Sequence, residues 1–566
     1  MIFQSLISLY DRLAETSDVP SYGFSVEDIG FCITVDEEGK LIGDPEDLRI
    51  PINSNLFEYF LSEVPYTNEV NVRSSGAAQT PNFMVDKANY IFGMSGNAEK
   101  NEHHESFIKL ISKVCENSND DGVVAVKAFL SKWNPSDSPS LKGWKDMSGE
   151  KGKWIAFKLR DDSCFVHERR EVKKLWSKYL STIQFPIGIS FVDGQVHDLQ
   201  TQYAQFKFGS GASLVSFNEA AYESYRKQKG ENAPISVEAE FKSSTALKFL
   251  LRSKTQRLKI GDAITVFWAQ KKSPIETFMG HVLDPFVEDA EAIVSIQKFL
   301  EAIREGKMPS EMEKDKDIHF YILGFSLNKA RLALRYWYVS RVGDLIARIG
   351  DHFACLKMEQ KRSNDLLYPG VWHLLKETAR DTKDISPVLG GALMRSILTG
   401  ANYPQNLFQG VLGRICADQA KKDQRTGKPV ENINFLRASI LKAFLQRNHK
   451  MEIPMSLNIE RKDVPYLLGR LFAVLEKAQL DALGGVNATI KDRFYSAASA
   501  TPASVFPRLL RLSQHHIAKA DYGYVSDERI RDILEHIDSF PNHMNLKEQG
   551  LFAIAYYHQK NNFFKK

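Results

Sequence analysis

The sequence is poor in cysteine, and its cysteines are not placed for a metal site or a disulfide framework. The five, Cys32, Cys115, Cys164, Cys355 and Cys416, stand singly, and no pair has a two-residue spacing. An odd number of scattered thiols is typical of a reducing compartment. The spacing excludes a cysteine-based zinc or redox motif.

Long uncharged apolar runs are also missing. No apolar run approaches the ~20 residues that span a bilayer. The N-terminal segment lacks the basic stretch and the small-residue cleavage site of a signal peptide. We therefore expect a cytoplasmic protein without a membrane partner.

An excess of one charge is likewise absent, since 74 Lys and Arg face 70 Asp and Glu, for a net charge of +4. The total hides an asymmetry. Residues 1–100 carry about 6 basic and about 16 acidic side chains, whereas residues 301–450 carry about 25 and about 16. The distribution of charge, rather than its sum, decides where a polyanion would bind.

Motifs for nucleotide hydrolysis and for common hydrolytic catalysis are absent. There is no Walker A loop, no dinucleotide-binding glycine motif, no zinc-protease helix and no nucleophile elbow. His197 and Asp198 form a dipeptide of the kind used in some metal phosphohydrolases. We expect a non-catalytic protein with no metal or other cofactor. A metal-dependent nuclease using His197 and Asp198 and a helical protein–protein scaffold are the alternatives.

Length and periodicity predict an α+β protein of several domains. A chain of 566 residues exceeds what one hydrophobic core usually serves. We predict a mixed α/β region with short sheets over 1–435, with subdivisions near 135–150 and 300. A C-terminal helical bundle is predicted over 436–566.

The local patterns behind this prediction are of two kinds. Helical spacing is found in the opening segment, at 219–229 and almost throughout from about residue 455. Short β-rich runs are found at 154–159 and at 264–269.

Residues 325–337 predict a helix with a basic face. Arg331 and Arg335 are four residues apart and would share that face. Guanidinium groups at this spacing suit successive phosphates. The alternative is an ordinary amphipathic helix whose arginines pair with acids.

A second basic face is predicted over 506–519. Arg508, Arg511, His515 and Lys519 step by three, four and four residues, with no acid among them. Such a stripe can follow a phosphate backbone without reading its sequence. The alternative is the solvated face of a bundle helix.

A polar loop is the third candidate. Small hydroxyls, a glycine and amide side chains let a backbone approach a nucleic-acid groove closely. The residues concerned are Asn71, Arg73, Ser74, Ser75 and Gly76 in the loop, with Asn82 and Lys87 after it. The alternative is an ordinary connection.

Stretches spread over the whole chain form a specific combination. They are residues 1–6, 10–13, 73–76, 81–90, 211–218, 222–225, 244–247, 261–262, 266–269, 320–326, 330–331, 468–477, 496–506 and 548–558. Together they resemble the large subunit of the type I-C CRISPR surveillance complex, Cascade. One departure is that a Leu-Ser-Pro-Asn-Ala-Ala-Arg pattern of the family stands here as Phe-Ser-Leu-Asn-Lys-Ala-Arg at 325–331.

The resemblance implies a non-catalytic subunit of an RNA-guided complex that senses DNA. Such subunits recognise the protospacer-adjacent motif in double-stranded DNA, assist unwinding and R-loop formation, hold the displaced strand and recruit a helicase-nuclease. The implied partners are the crRNA (through the complex), the DNA target, the backbone and crRNA-processing subunits, the small subunit and the helicase-nuclease.

The resemblance also assigns roles to the candidate residues. The loop 71–76 with Asn82 and Lys87 would read the motif. The phosphate-holding residues would be Arg331, Arg335, Arg508, Arg511 and Lys519, the last three on the displaced strand. In this family the C-terminal region can be made separately from an internal start, for which Met451 and Met455 are candidates.

Overall fold

The fold is α+β, as predicted, with about 50% helix and 16% strand. The computed structural model describes the chain except for residues 54–55, 67–79, 97, 207–211, 218–219, 261–262, 284–297, 299–300, 303–306, 329–330, 423–426, 428–429, 485–487 and 565–566. No helix in the described part of the chain is long and apolar enough to cross a membrane.

Two compact units divide the chain. Unit one comprises Met1–Arg252 together with Leu327–Ala333, and unit two comprises Ser253–Ser326 together with Leu334–Lys566. Each unit has a hydrophobic core of its own.

Unit one combines short strands with helices. Its helices are α1 Ile2–Glu15, α2 Ala88–Ile91, α3 Asn101–Val114, α4 Asp121–Lys132, α5 Trp144–Met147, α6 Arg170–Leu180 and α7 Val237–Arg252. Its strands are β1 Phe24–Val35, β2 Glu46–Asp47, β3 Ile50–Pro51, β4 Phe57–Glu58, β5 Phe60–Pro65, β6 Val85–Asp86, β7 Met94–Ser95, β8 Ala98–Glu99, β9 Trp154–Leu159, β10 Ile187–Ile189, β11 Val196–Asp198, β12 Gln205–Phe206 and β13 Ala212–Ser213. Short 3-10 segments lie at Pro135–Ser140, Glu150–Gly152, Val166–Glu168, Ala220–Tyr222 and Lys229–Asn232.

The main sheet of unit one is built on β1 and β9, which run parallel. Its order is β2–β1–β9–β6, and β5 also pairs with β1. Strand β1 is buried along nearly its whole length, as expected of a strand covered on both faces. Phe107 of α3, Phe129 of α4 and Trp176 of α6 fill the core beside Phe157 of β9.

The opening helix is amphipathic, as predicted. Leu6, Leu9 and Leu13 of α1 are buried, and the helix packs on α7. Tyr10 meets Phe241 edge to face at 5.7 Å between ring centroids. This pairing anchors the start of the chain to the last helix of the main segment of unit one.

Unit two carries a hairpin sheet followed by helices. Its strands are β14 Arg257–Ile260, β15 Ala263–Ala269, β16 His319–Asn328 and β17 Arg331–Arg341, of which the last two pass through the 327–333 segment. Its helices are α8 Ile275–Leu283, α9 Val342–Leu356, α10 Val371–Lys376, α11 Pro387–Thr399, α12 Gln405–Ala417, α13 Phe435–His449, α14 Val464–Leu483, α15 Ile490–Ala500, α16 Pro502–Lys519, α17 Gly523–Leu534 and α18 Leu546–Asn562. Short 3-10 segments lie at Ser310–Asp315 and Thr382–Asp384.

The predicted helix over 325–337 is wrong, because the described residues of this stretch belong to strands β16 and β17. Strand β17 is rich in aromatic and β-branched residues, which favour an extended backbone. Trp268, Tyr321 and Trp337 stack across three neighbouring strands, with centroids 5.4 Å apart in the first pair and 5.8 Å in the second. A four-residue step places Arg331 and Arg335 on one side of a strand as well as of a helix, so the spacing does not distinguish the two.

The predicted helix over 219–229 is also wrong. Between the 3-10 segments Ala220–Tyr222 and Lys229–Asn232, its residues form a turn and an isolated bridge. Tyr225, Arg226 and Lys229 have φ between 43° and 63°. A left-handed backbone at these positions cannot continue a right-handed helix.

The C-terminal helices confirm the prediction of helix from about residue 455. Helices α14 and α18 are buried on nearly all sides, which is typical of the centre of a bundle. They approach so closely at Gly469 that a Cβ there would lie 2.2 Å from the carbonyl oxygen of Phe552. Helices α16 and α17 pack around this pair. The boundary predicted between 435 and 436 stays a prediction.

Candidate nucleic-acid interface

The predicted motif-reading loop lies mostly outside the described residues. This applies to Asn71, Arg73, Ser74, Ser75 and Gly76. Asn82 and Lys87 lie on a turn after the loop, organised by the buried carboxylate of Asp86. Its two oxygens accept the backbone N–H groups of Asn82 at 2.7 Å and of Lys87 at 2.6 Å.

The two residues on this turn differ in exposure. Asn82 is only 2% exposed, whereas Lys87 is exposed. Asn82 therefore lies in the interior at the base of the loop, and Lys87 presents its side chain to solvent. Their role in reading a motif stays a prediction.

The first predicted arginine pair lies on β17. The backbone of Arg331 pairs in parallel with Ser213 of β13, and the Arg331 side chain lies outside the described set. Arg335 is exposed and lines a cleft of about 480 Å³ in unit two. The facing wall is α11, which contributes Arg395. The sequence did not indicate Arg395, because it is 60 positions from Arg335.

The second predicted stripe lies on α16, and here the helical reading is confirmed. Arg508, Arg511 and Lys519 are exposed, whereas Phe506 and Leu509 face the core. Among the described residues, no carboxylate forms an ion pair with any of these three cations. The alternative, the solvated face of a bundle helix, has the same exposed cations, so binding of a phosphate backbone by α16 stays a prediction.

Local packing fixes part of this stripe. The guanidinium of Arg508 lies over the ring of Phe494 on α15, with its Cζ 5.4 Å from the ring centroid. A cation held against an aromatic face keeps its charge and loses mobility. Lys519 is in the last turn of α16, where the helix dipole stabilises a positive charge.

The histidines of α16 differ from its arginines in electrostatic character. Burial, and then the charge of His515, lowers the pKa of His516. His516 is therefore neutral near pH 7. The fixed positive charge of the helix comes from Arg508, Arg511 and Lys519.

Two exposed tyrosines follow the stripe, and the sequence analysis missed them. Tyr522 is 74% and Tyr524 is 67% exposed, with ring centroids 6.4 Å apart. Gly523 between them packs against the end of α16, since a Cβ there would lie 1.9 Å from the carbonyl oxygen of Ile517. A Tyr-Gly-Tyr triplet directly after a basic helix is the signal that would have indicated them. Exposed rings beside cations suit stacking with unpaired bases.

The geometry of the described residues gives little support to the nuclease alternative. His197 Nε2 lies 2.7 Å from Asp193 Oδ2, while Asp198 is the next residue of β11 and points to the opposite face. Both His197 and Asp198 line an open cleft of about 620 Å³. No group of three or more His, Cys, Asp or Glu side chains that could hold a metal occurs in the described part of the chain.

A serine–histidine pair is present in unit one, but it is buried away from solvent. Ser62 Oγ lies 2.8 Å from His167 Nε2, and the two residues are 4% and 0% exposed. Burial lowers the pKa of His167 to about 3, and its Nδ1 has no hydrogen-bond partner among the described residues. The pair therefore lacks both substrate access and the orienting group of a catalytic triad.

Comparison with known proteins assigns the chain to a protein family. No curated protein matches the chain. The family model described as CRISPR-associated protein (Cas_Csd1) matches residues 6–564, nearly the whole chain. The chain therefore belongs to the Cas_Csd1 family of CRISPR-associated proteins.

Proposed function

We propose that the chain is the non-catalytic large subunit of a type I-C CRISPR surveillance complex, and that α16 holds the displaced DNA strand in it. The observation that carries the proposal is the row of exposed cations on α16, Arg508, Arg511 and Lys519, without acidic partners among the described residues. Membership in the Cas_Csd1 family supports a Cascade-type large subunit in general.

The dimensions of the stripe suit a single strand. Arg508 and Lys519 are eleven residues apart, which corresponds to roughly 16 Å along a helix. That length spans a few phosphates, and such contacts bind any sequence because they reach only the backbone. Tyr522 and Tyr524 at the end of the stripe would add stacking with bases exposed by duplex opening.

The division of labour fits RNA-guided recognition. Sequence is read by pairing between the guide RNA and the target, while the protein reads a short motif and stabilises the displaced strand. In this proposal the loop 71–76 with Asn82 and Lys87 reads the motif in double-stranded DNA. The partners are the crRNA, the backbone, crRNA-processing and small subunits, and the helicase-nuclease.

The test removes charge from the stripe in the assembled complex. The double variant R508Q/R511Q is assembled with crRNA and the partner subunits, and its affinity for a matched duplex is measured over a range of salt. Each lost phosphate contact should lower the slope of log affinity against log salt by about 0.7, the value for single strands. The double variant should therefore lose about 1.4 in slope and form fewer R-loops, detected by permanganate reactivity of the displaced strand.

A matched control lies on the neighbouring helix. Arg531 of α17 is exposed but pairs with Asp527 at 3.6 Å, so R531Q should leave slope and R-loop yield unchanged. An unchanged salt slope in R508Q/R511Q would contradict the assignment of α16. Failure of the chain to assemble with any crRNA would contradict the function as a whole.

A further inference from the structure

The cleft beside β17 has the charge of an anion-binding site. It lies within unit two and holds about 480 Å³. Its lining residues are Ala263, Arg335, Tyr336, Pro387, Val388, Gly391, Ala392, Arg395, Ser396, Ala401, Asn402 and Pro404. Two of the twelve are arginines and none is an acid.

The second arginine is available to a ligand. Arg395 of α11 is exposed, and no acid pairs with it in the part of the chain that the structure describes. Arg335 on the strand wall is exposed as well. Guanidinium groups on opposite walls can hold phosphate oxygens from two directions, which a single basic stripe cannot do.

The strand wall is rigid. The ring of Tyr336 lies over Gly324, where a Cβ would come within 2.3 Å of it, and a Cβ on Gly391 of α11 would lie 3.7 Å from the same ring. Its hydroxyl forms a short hydrogen bond with Thr265. Burial raises the pKa of Tyr336 to about 12, so the ring is neutral and fixed beside the two arginines.

The loop at the end of the cleft is held by paired hydrogen bonds. Ser396 Oγ donates to the carbonyl oxygen of Asn402 at 2.8 Å. Asn448 of α13 accepts from the backbone N–H of Tyr403 at 2.8 Å and donates to its carbonyl at 2.9 Å. A site whose walls are fixed before binding loses little entropy when a ligand enters.

The remaining lining residues suit an extended ligand. Gly391, Ala392 and Ala401 are small and allow close approach, and Val388 is 71% exposed at the rim. The cleft is open and larger than one phosphate requires. A cleft whose described lining includes two arginines and no acid fits a polymer with regularly spaced anionic groups.

We propose that this cleft binds the phosphodiester backbone of a nucleic-acid strand, with Arg335 and Arg395 on neighbouring phosphates. The proposal rests on the function proposed above, in that it gives the chain a second strand-binding surface besides α16. Arg395 is then a binding residue that its sequence context does not reveal.

The first test measures binding by the full chain alone. Affinity of R335Q/R395Q for a labelled 30-nucleotide single-stranded DNA is followed by fluorescence anisotropy over a range of salt. Loss of two phosphate contacts should weaken binding about tenfold near 0.1 M salt and lower the salt slope by about 1.4. The control R380Q removes an exposed arginine outside the cleft and should change neither quantity.

The second test locates the ligand. Arginines are modified with phenylglyoxal and read by mass spectrometry, with and without DNA. Protection of Arg395 by the DNA strand, but not by a polyglutamate peptide of equal charge, supports the proposal. Equal protection by the peptide, no protection by DNA, or an unchanged slope in R335Q/R395Q would each overturn it.

The experiments can contradict either of the two proposals without contradicting the other. If R335Q/R395Q behaves as the parent chain while R508Q/R511Q loses R-loops in the complex, only the cleft is wrong. If the isolated chain protects Arg395 on DNA but never assembles with crRNA, the cleft stands and the function as a complex subunit is wrong.

Discussion

The arginines of unit two fall into two groups, which differ in whether they are buried and paired with acids or exposed. Arg437 of α13 is 8% exposed, with its Nε 2.7 Å from Glu377 and its Nη2 2.9 Å from Asp418. Burial by itself raises the pKa of Asp418, but Arg437 and Arg414 lower it below its ordinary value. This buried network holds α13 in place, whereas Arg508 is exposed and forms no ion pair with an acid in the described part of the chain.

Lys442 on the same helix is buried, and no acid in the part of the chain that the structure describes pairs with it. It is 3% exposed, and its Nζ donates to the carbonyl oxygen of Cys355 at 2.9 Å and to Gln446 Oε1 at 3.0 Å. Burial lowers its pKa to about 8, against about 10.4 in an unfolded chain. Between these values the unfolded chain holds more protons, so this group makes the free energy of unfolding rise with pH.

A substitution of Lys442 tests the sign of this pH dependence of the free energy of unfolding. K442M removes the buried charge at similar length and should raise the free energy of unfolding at pH 7 by about 3 kcal/mol. The advantage should shrink between about pH 8 and about pH 10.4 and level off above that range, where the lysine is neutral in both the folded and the unfolded state. Urea unfolding of both proteins at several pH values measures it.

The control for this prediction is K462M, at an exposed lysine, which should show no pH-dependent difference. An advantage of K442M that is equal at pH 7 and at pH 10 would contradict a buried-charge origin.

At the scale of elements, helices α14 and α18 cross in close contact. Gly469 faces the carbonyl oxygen of Phe552, and a Cβ there would also lie 2.8 Å from the Cβ of Ala555. The obstacle is backbone, which cannot move aside as a flexible side chain could. The helices would have to separate to admit a methyl group.

Two Gly→Ala substitutions give opposite outcomes. G469A should destabilise the fold by about 1–3 kcal/mol through overpacking. G413A, in a helix interior with nothing within 4 Å of the added Cβ, should stabilise it by about 0.8 kcal/mol through helix propensity. Thermal unfolding followed by circular dichroism measures both, and a stabilising G469A would contradict the close packing of α14 and α18.

The elements also show how far sequence reasoning reaches. The helices from 455 onward and the stripe on α16 follow from periodicity, which burial of one helical face enforces. Strands β16 and β17 could not be predicted in this way, because the spacing of Arg331 and Arg335 fits the period of a helix as well as that of a strand. Stacking of aromatic rings across the strands favours the extended backbone here. The cleft joins Arg335 to Arg395 across 60 positions, and only the packing of β17 on α11 brings them together.

At the scale of the whole molecule, the net charge of +4 conceals an uneven distribution of acidic and basic residues between the two units. The acidic residues 1–100 lie in unit one, whereas the described cations proposed to hold phosphates, on α16 and in the cleft, lie in unit two. Attraction of a polyanion should therefore be concentrated on unit two. The acidic part is better suited to basic protein partners.

The predicted internal starts have a structural consequence within unit two. Met451 and Met455 follow α13, so a chain beginning at either would contain α14–α18 without α13. Helix α13 packs on α18, with Leu445 Cδ1 3.5 Å from where a Cβ on Gly550 would stand. Apolar surface of α18 that α13 covers would then be open.

Two fragments test this consequence. A fragment of residues 455–566 should self-associate when expressed alone, because exposed apolar helix faces favour association. A control fragment of residues 430–566, which retains α13, should be closer to monomeric. Size-exclusion chromatography with light scattering measures both, and a monomeric 455–566 fragment would contradict the expectation.

The crossing at Gly469 has a genetic consequence. Helices α14 and α18 both lie after Met455, so a full-length product and an internally initiated product would inherit the same joint. A single codon change to alanine there would impair two gene products at once, whereas a change in α13 would impair one. Supplying the intact short product from a second gene copy should therefore rescue only part of the G469A defect in interference.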